Sequence, residues 1–229
     1  MIPSQNKSHA RKTASGRMPP LLLTANQLQE FVRDGCPPSW LEYAEELRDA
    51  AELIWTREQG SLRLHVQLST KKRVLSKKET SPVSRPYLLL AGFALENLLK
   101  GLLILKEPKH ITSGALSHEL KTHDLLALSA QILGLRLSRK EESLCKPMTQ
   151  AIPYWGRYPI PLKQHQVMPS LAVNENTRTV FLELFDRLAH ELYWAVRDGW
   201  DSGIGVATIK MRSLGYGDKI DPKEQLFEQ

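Results

Sequence analysis

"LLLAGFALENLLKGLLIL", from Leu88 to Leu105, is the most apolar stretch of the chain and decides its fold. As a helix, this run is nearly long enough to span a bilayer. Glu96 and Lys100 near its centre would each cost about 2.5–3.5 kcal/mol on membrane insertion, which outweighs several leucines. We therefore predict a core helix of a protein that does not enter a membrane.

The polar side chains of this helix are predicted to share one face. At 100° per residue, Glu96, Lys100 and Asn97 lie within an arc of about 100°, so they form a stripe about one turn long. Glu96 precedes Lys100 by four residues, the favourable order for a helical ion pair. Two interpretations stay open, a partly exposed salt bridge and one wall of a polar site inside a helical bundle.

The composition is that of one domain with a substantial core, since 41% of the 229 residues are hydrophobic. Cys36 and Cys145 are far apart and lack a partner spacing, so neither a disulfide framework nor a metal site is predicted. No cofactor is expected. The two cysteines fit a reducing cytoplasm, and the first residues lack the apolar core of a signal peptide.

The distribution of charged residues and the periodicity of apolar residues predict three regions along the chain. Residues 1–25 are expected to form a disordered basic tail, residues 26–199 a helical bundle domain, and residues 200–229 a C-terminal extension without a clear period. The basic segment "KKRVLSKKETSPVSR", from Lys71 to Arg85, has two interpretations: a surface that meets phosphates or an acidic partner, and a solvated loop.

Apolar residues at helical spacing predict the first long helix over residues 40–58. Ser39 is its predicted N-cap, and Glu42 completes a capping box. The helix of the opening stretch is expected to start near Pro86 and to end before Pro108, because proline is tolerated only in a first turn.

Shorter helices are predicted next. Thr122 is the expected cap of a helix that ends near Gly134. Ser138 and Glu141 form a second capping box, and Pro147 is expected to kink or interrupt the helix that follows.

The rest of the pattern completes an all-α fold. The proline-rich "IPYWGRYPIPLKQHQVMPS", residues 152–170, is predicted to be a loop. A long final helix follows in "NENTRTVFLELFDRLAHELYWAVRDGW", residues 174–200. Residues 61–80 alternate in part and suit a short strand or an irregular excursion.

Three motifs occur in order along these elements: "ENLLK" at 96–100, "HDL" at 123–125 and "YWGRYP" at 154–159. In their order and spacing they resemble the HEPN domain, a small helical-bundle family named for nucleotide binding and found in toxin-antitoxin and phage-defence systems. The resemblance covers residues 39–59 and 87–199. It implies a HEPN-like bundle of four to five helices.

The resemblance also implies a set of site residues. Glu96 and Lys100 match the helix-borne acid and base, His123 the histidine at a helix start, and Arg157 and Tyr158 the pair in the loop. Arginine suits a phosphate through its planar donor fork, and histidine can carry a proton near neutral pH. The predicted nucleotide- or RNA-binding set is Glu96, Asn97, Lys100, His123, Asp124, Arg157 and Tyr158. Two structural alternatives stay open: His123 caps its own helix, and Arg157 bridges Glu96.

Whether the chain is an enzyme stays open at this stage. Ribonucleases of the HEPN family resemble one another in an arginine, usually followed by a polar residue, with a histidine after four to six intervening residues. Here seven residues separate Arg157 from His165, and Tyr158 follows the arginine. Metal-independent RNA cleavage needs a base and a cation in one site. Arg157 and His165, with His190 as a further candidate, are the predicted catalytic residues of an endoribonuclease.

The resemblance makes a non-catalytic module the leading hypothesis. Such a module binds nucleotide or RNA, or pairs with a nucleic-acid-acting partner such as a nucleotidyltransferase. A homodimer is expected, because composite sites in such bundles form across two-fold axes. A third hypothesis is a structural interaction protein with no ligand.

Overall fold

The computed structural model describes residues 24–57, 63–71, 74–80, 84–155 and 173–208. This part of the chain is mostly helical, as the sequence predicts. Its α-helices, in chain order, are α1 (Ala25–Asp34), α2 (Pro37–Arg57), α3 (Ser84–Lys106), α4 (Leu125–Ala130), α5 (Arg139–Trp155) and α6 (Glu175–Val196). Two antiparallel pairs of strands accompany them: β1 (Arg63–Leu68) with β2 (Val74–Thr80), and β3 (Trp200–Asp201) with β4 (Ala207–Thr208).

The apolar helix α3 forms the centre of the bundle, and α2, α4, α5 and α6 pack against it. By length and composition alone α3 could cross a membrane, but 72% of its most apolar window is buried inside the protein. Its ends, Ser84 and Lys106, agree with the limits that Pro86 and Pro108 predict. The burial explains why the helix is apolar on nearly all of its surface.

Helix α2 runs antiparallel to α3. Trp55, near the end of α2, meets Tyr87 at the start of α3, with ring centroids 5.8 Å apart. Trp40, near the start of α2, lies instead against Gly101 towards the end of α3. Close approach at this point depends on glycine, because a side chain at position 101 would meet the neighbouring helices.

Helix α6 runs parallel to α3 on another side of the core. Phe181 in its second turn packs edge-on against Tyr87, and Leu192 lies against Gly101 four turns later along α3. Asn174 caps the start of α6 by accepting a hydrogen bond from the backbone N–H of Thr177. The predicted final helix is therefore confirmed.

An ion pair joins α2 to α6 at the end of the bundle where α3 begins. Arg178 donates to Glu52 through Nε at 2.9 Å and through Nη2, and the hydroxyl of Tyr87 donates to Glu52 at 3.0 Å. The guanidinium of Arg178 also lies over the ring of Trp55. These contacts give the buried hydroxyl of Tyr87 a partner and join it to the half-buried Glu52 and Arg178 across three helices.

The hydroxyl of Tyr87 is expected to make stability fall in alkaline solution. Burial and the neighbouring carboxylate of Glu52 raise the pKa of Tyr87 well above its usual range. Above about pH 10 the unfolded phenol ionises while the folded one stays neutral, so this contribution is present below about pH 10 and lost above it. Urea titrations between about pH 9 and 11 should show a shallower loss of unfolding free energy in Tyr87→Phe than in the parent chain. Tyr43→Phe, at an exposed position, controls for removal of a hydroxyl; equal slopes in parent and Tyr87→Phe would contradict the assignment.

Several local predictions are corrected by the structure. Helix α2 starts at Pro37, so Ser39 lies inside its first turn, donates its N–H to Cys36 O, and is not the N-cap of a capping box with Glu42. The N-cap of α4 is Asp124 and not Thr122. The two prolines after Cys36 explain the earlier start of α2, because proline is favoured in a first turn.

Helix α5 matches one prediction and departs from another. The capping box of Ser138 and Glu141 is confirmed, with the Ser138 N–H donating to Glu141 at 2.6 Å and the Glu141 N–H donating back at 3.4 Å. The helix then continues through Pro147 and Pro153 to Trp155 without the predicted interruption. It therefore enters the stretch predicted as a loop, whose remaining residues lie outside those described.

The predicted domain limits and the alternating segment, residues 61–80, agree in part with the structure. Residues 61–80 contain the antiparallel pair β1 and β2, so the strand interpretation of this segment is the correct one. Helix α1 starts at Ala25, next to the predicted limit at residue 26. Trp200 and Val206 belong to the hydrophobic core, so the bundle extends past residue 199. The predicted disordered tail lies outside the described residues except for its last two positions.

Candidate functional site

Glu96 and Lys100 form a buried ion pair in the middle of α3. Lys100 Nζ donates to Glu96 Oε1 at 2.5 Å, and the two residues are 6% and 7% exposed. The interpretation as a partly exposed salt bridge is therefore wrong. Helical spacing brings the two side chains together, and the helices packed around α3 remove the pair from water.

His123 extends this pair towards solvent. Its Nδ1 lies 3.1 and 3.0 Å from the two carboxylate oxygens of Glu96, and its side chain is 50% exposed. A carboxylate oxygen accepts, so Nδ1 carries the hydrogen and donates it. Among the described residues, Nε2 of His123 has no hydrogen-bond partner. We name Glu96, Lys100 and His123 the polar cluster.

Hydrogen bonds hold the segment that carries His123 in place. Thr122 Oγ1 accepts from the N–H of Asp124, and Asp124 Oδ1 accepts from the N–H groups of Leu126 and Ala127 at the start of α4. The N–H of Leu125 donates to Thr149 Oγ1 of α5 at 3.0 Å. These bonds fix the backbone around His123 and orient its ring on Glu96.

Two of the predicted binding residues have local structural partners. Asn97 Nδ2 donates to the carbonyl of Phe93 at 2.7 Å, one turn back along α3. The carboxylate of Asp124 serves as the N-cap of α4. The interpretation of His123 as the cap of its own helix is wrong, because Asp124 fills that position. A ligand-binding role of Asn97 and Asp124 stays a prediction.

The second half of α5 lies next to the polar cluster. Gly92, one turn before Glu96, packs against Met148 and Ile152 of α5. Thr149 accepts a hydrogen bond from the backbone N–H of Leu125, two residues after His123. Helix α5 ends at Trp155, six residues and about 9 Å of helical rise beyond Thr149.

Three of the remaining predicted site residues follow Trp155 in the sequence. Arg157, Tyr158 and His165 are outside the described residues, so their roles in binding or catalysis stay predictions. His190, the further catalytic candidate, accepts a hydrogen bond through Nε2 from Trp194 Nε1 on its own helix. Within the described ranges, no group of three or more His, Cys, Asp or Glu side chains is placed to hold a metal ion.

Thr149 is a member of the site that the sequence did not reveal. Its hydroxyl joins α5 to the backbone next to His123, but a threonine inside a helix has no pattern that distinguishes it from a surface residue. Only the packing of α4 on α5 identifies this contact.

The chain was compared with protein families, curated proteins and solved structures, and none of them matches it. Its function is therefore inferred from the geometry of the polar cluster and from the motifs of the sequence.

Proposed function

We propose that this chain is a HEPN-like helical module that binds a nucleotide or RNA at the polar cluster. Pairing with a nucleic-acid-acting protein, such as a nucleotidyltransferase in a toxin-antitoxin or phage-defence system, is part of the same proposal. The observation that supports it is a buried ion pair that reaches solvent through a single half-exposed histidine, His123.

The arrangement of the cluster supports a different role for each of its members. Lys100 is buried and already paired with Glu96, so a ligand from solvent does not reach it directly. Lys100 and Glu96 are therefore positioning residues that hold His123. A carboxylate that accepts from one ring nitrogen fixes the tautomer and leaves the other nitrogen as an acceptor, or as a donor when the ring is protonated. His123 Nε2 is thus the atom proposed to meet the ligand.

The position of α5 supports the participation of Arg157 and Tyr158. One residue, Gly156, stands between Trp155 and Arg157 in the sequence, so their Cα atoms are at most about 7 Å apart. A guanidinium that follows the end of α5 adds the cation that a phosphate requires and that the buried Lys100 does not offer. The two buried free cysteines, Cys36 and Cys145, are consistent with a cytoplasmic location, which the proposal includes together with a homodimer.

His123→Gln is expected to weaken ligand binding without loss of fold. The parent chain should show a thermal shift with a nucleoside monophosphate, or retain a single-stranded oligoribonucleotide at low salt, where phosphate contacts are strongest. His123→Gln should bind about 10- to 150-fold more weakly, because a hydrogen bond from the imidazole to a charged phosphate contributes roughly 1.5–3 kcal/mol and the uncharged glutamine, which does not keep the contact with Glu96, does not reproduce it. Fluorescence polarisation of a labelled oligoribonucleotide measures the affinity.

His118→Gln is the matched control, because His118 is an exposed histidine of the same connection between α3 and α4. It should bind as the parent does. The proposal fails if the parent chain shows neither a nucleotide-dependent thermal shift nor RNA retention, or if both variants lose binding equally. The same samples, analysed for shortened RNA, test the endoribonuclease hypothesis. If the RNA stays intact after incubation with the parent chain, this hypothesis is wrong.

A further inference from the structure

A cavity of about 380 Å³ lies at the end of the bundle where α3, α5 and α6 begin. Leu88 contributes to its wall from α3, eight residues and about 12 Å before Glu96. Neither Glu96 nor His123 lines this cavity. Its volume is at the lower end of the range of small-molecule sites, about 300–1,000 Å³.

The inner wall of the cavity is apolar. Leu88, Leu144 and Val180 are buried residues from three different helices, and the half-buried Pro147 completes this wall. Aliphatic side chains that converge on an open cavity bind the apolar part of a ligand by removing it from water.

The rim of the cavity is cationic. Arg139 and Lys140, the first two residues of α5, line it, and neither has an ion-pair partner among the described residues. The carboxylate of Glu141 is engaged by Arg187 at 2.7 Å, and Glu142 does not line the cavity. Among the described residues that line the cavity, the two charged ones are therefore both cations.

Three neutral polar side chains also line the cavity. Ser143 belongs to α5, and Asn176 and Thr177 belong to the first turn of α6. The hydroxyl of Ser143 donates to the carbonyl of Arg139 at 2.8 Å, which leaves its oxygen as an acceptor. Among the described residues, the side-chain amide of Asn176 has no partner and remains a donor for an anionic oxygen.

We infer that this cavity is a second ligand site, for a small amphipathic anion. The ligand carries a carboxylate or a phosphate monoester towards Arg139 and Lys140 and an apolar body against Leu88, Leu144 and Val180. Both ends of the ligand contribute to binding. The two cations are exposed, so their attraction for an anion is weak by itself, and the apolar wall alone does not orient the ligand. The site is separate from the polar cluster and does not depend on its proposed function.

The test titrates the full chain with four probes that separate charge from apolar area. Octanoate carries a carboxylate with an alkyl body, phenyl phosphate a phosphate monoester with a ring, inorganic phosphate the charge alone, and 1-octanol the alkyl body alone. We expect saturable binding of one molecule of octanoate or of phenyl phosphate per chain by calorimetry. Binding of octanoate but not of phenyl phosphate identifies an acyl carboxylate as the natural ligand class. Binding of phenyl phosphate but not of octanoate identifies a phosphate monoester. No saturable binding of either, or binding of octanol equal to that of octanoate, overturns the inference.

Two matched double variants locate the bound probe. Arg139→Gln/Lys140→Gln should raise the dissociation constant about tenfold, since two charge-assisted contacts are lost at a partly solvated rim. Arg136→Gln/Lys146→Gln removes two exposed cations that do not line the cavity and should leave the dissociation constant unchanged. Equal affinity in both double variants overturns the inference. Loss of probe binding in His123→Gln would also overturn it, because the probe would then occupy the polar cluster.

Discussion

Replacing Lys100 with methionine is expected to lower the free energy of unfolding by about 3–5 kcal/mol, because it leaves the buried carboxylate of Glu96 without its cation. The aliphatic stem of methionine fills most of the space of the lysine, so the loss comes from charge and not from a cavity. Urea denaturation followed by circular dichroism measures it.

The double variant Glu96→Leu/Lys100→Met should be more stable than Lys100→Met alone. Removing both charges ends the cost of a buried unpaired ion, and apolar residues of similar volume are tolerated in a core. The half-exposed His123 then keeps water as its partner. Lys109→Met is the control at the exposed pair of Lys109 and Glu107, and no measurable change is expected there. Equal stability of Lys100→Met and the parent chain would show that the pair is not buried in solution.

Gly101→Ala is expected to destabilise the bundle by about 1–3 kcal/mol, although alanine is the better helix former by about 1 kcal/mol. A Cβ at this position would lie 2.8 Å from Leu192 Cδ2 and 3.1 Å from Trp40 Cβ. The substitution therefore pushes apart α2, α3 and α6, which meet at this glycine. The midpoint of thermal unfolding should fall accordingly.

Leu192→Val is the compensating change. It removes the δ-carbons of Leu192, so the cost of adding Gly101→Ala in that background should be smaller than in the parent chain. A double-mutant cycle from urea denaturation gives the coupling directly. Strictly additive effects, or stabilisation by Gly101→Ala alone, would contradict the close packing of the three helices.

Local signals in the sequence predicted the helices well. The apolar run between Pro86 and Pro108 and the capping box of Ser138 and Glu141 each have a short-range physical cause, and both are found in the structure. Helix α1 was missed, although Thr24 and Gln27 form a capping box that the same rule would have identified. Its apolar face is short, which explains why periodicity alone did not reveal it.

The geometry of the candidate site depends on contacts between distant parts of the chain, which local sequence patterns do not predict. The spacing of Glu96 and Lys100 predicts an ion pair, but their burial depends on α5 and on the segment of His123, which pack against α3 from distant parts of the chain. The same long-range packing determines the role of Thr149. Residue types predicted which groups carry charge, and tertiary contacts decided which of them reach water.

Nuclear magnetic resonance of the histidine side chains in the ¹⁵N-labelled chain tests the central claim most directly. The claim is that Glu96 holds His123 by Nδ1 and that Nε2 faces a nucleotide or RNA ligand. On titration with a nucleoside monophosphate or a single-stranded oligoribonucleotide, the Nε2 resonance of His123 should shift with saturation, while the resonances of His118 stay in place. A ligand that binds without moving the Nε2 resonance of His123, or a free chain in which the hydrogen resides on Nε2 and not on Nδ1, would contradict it.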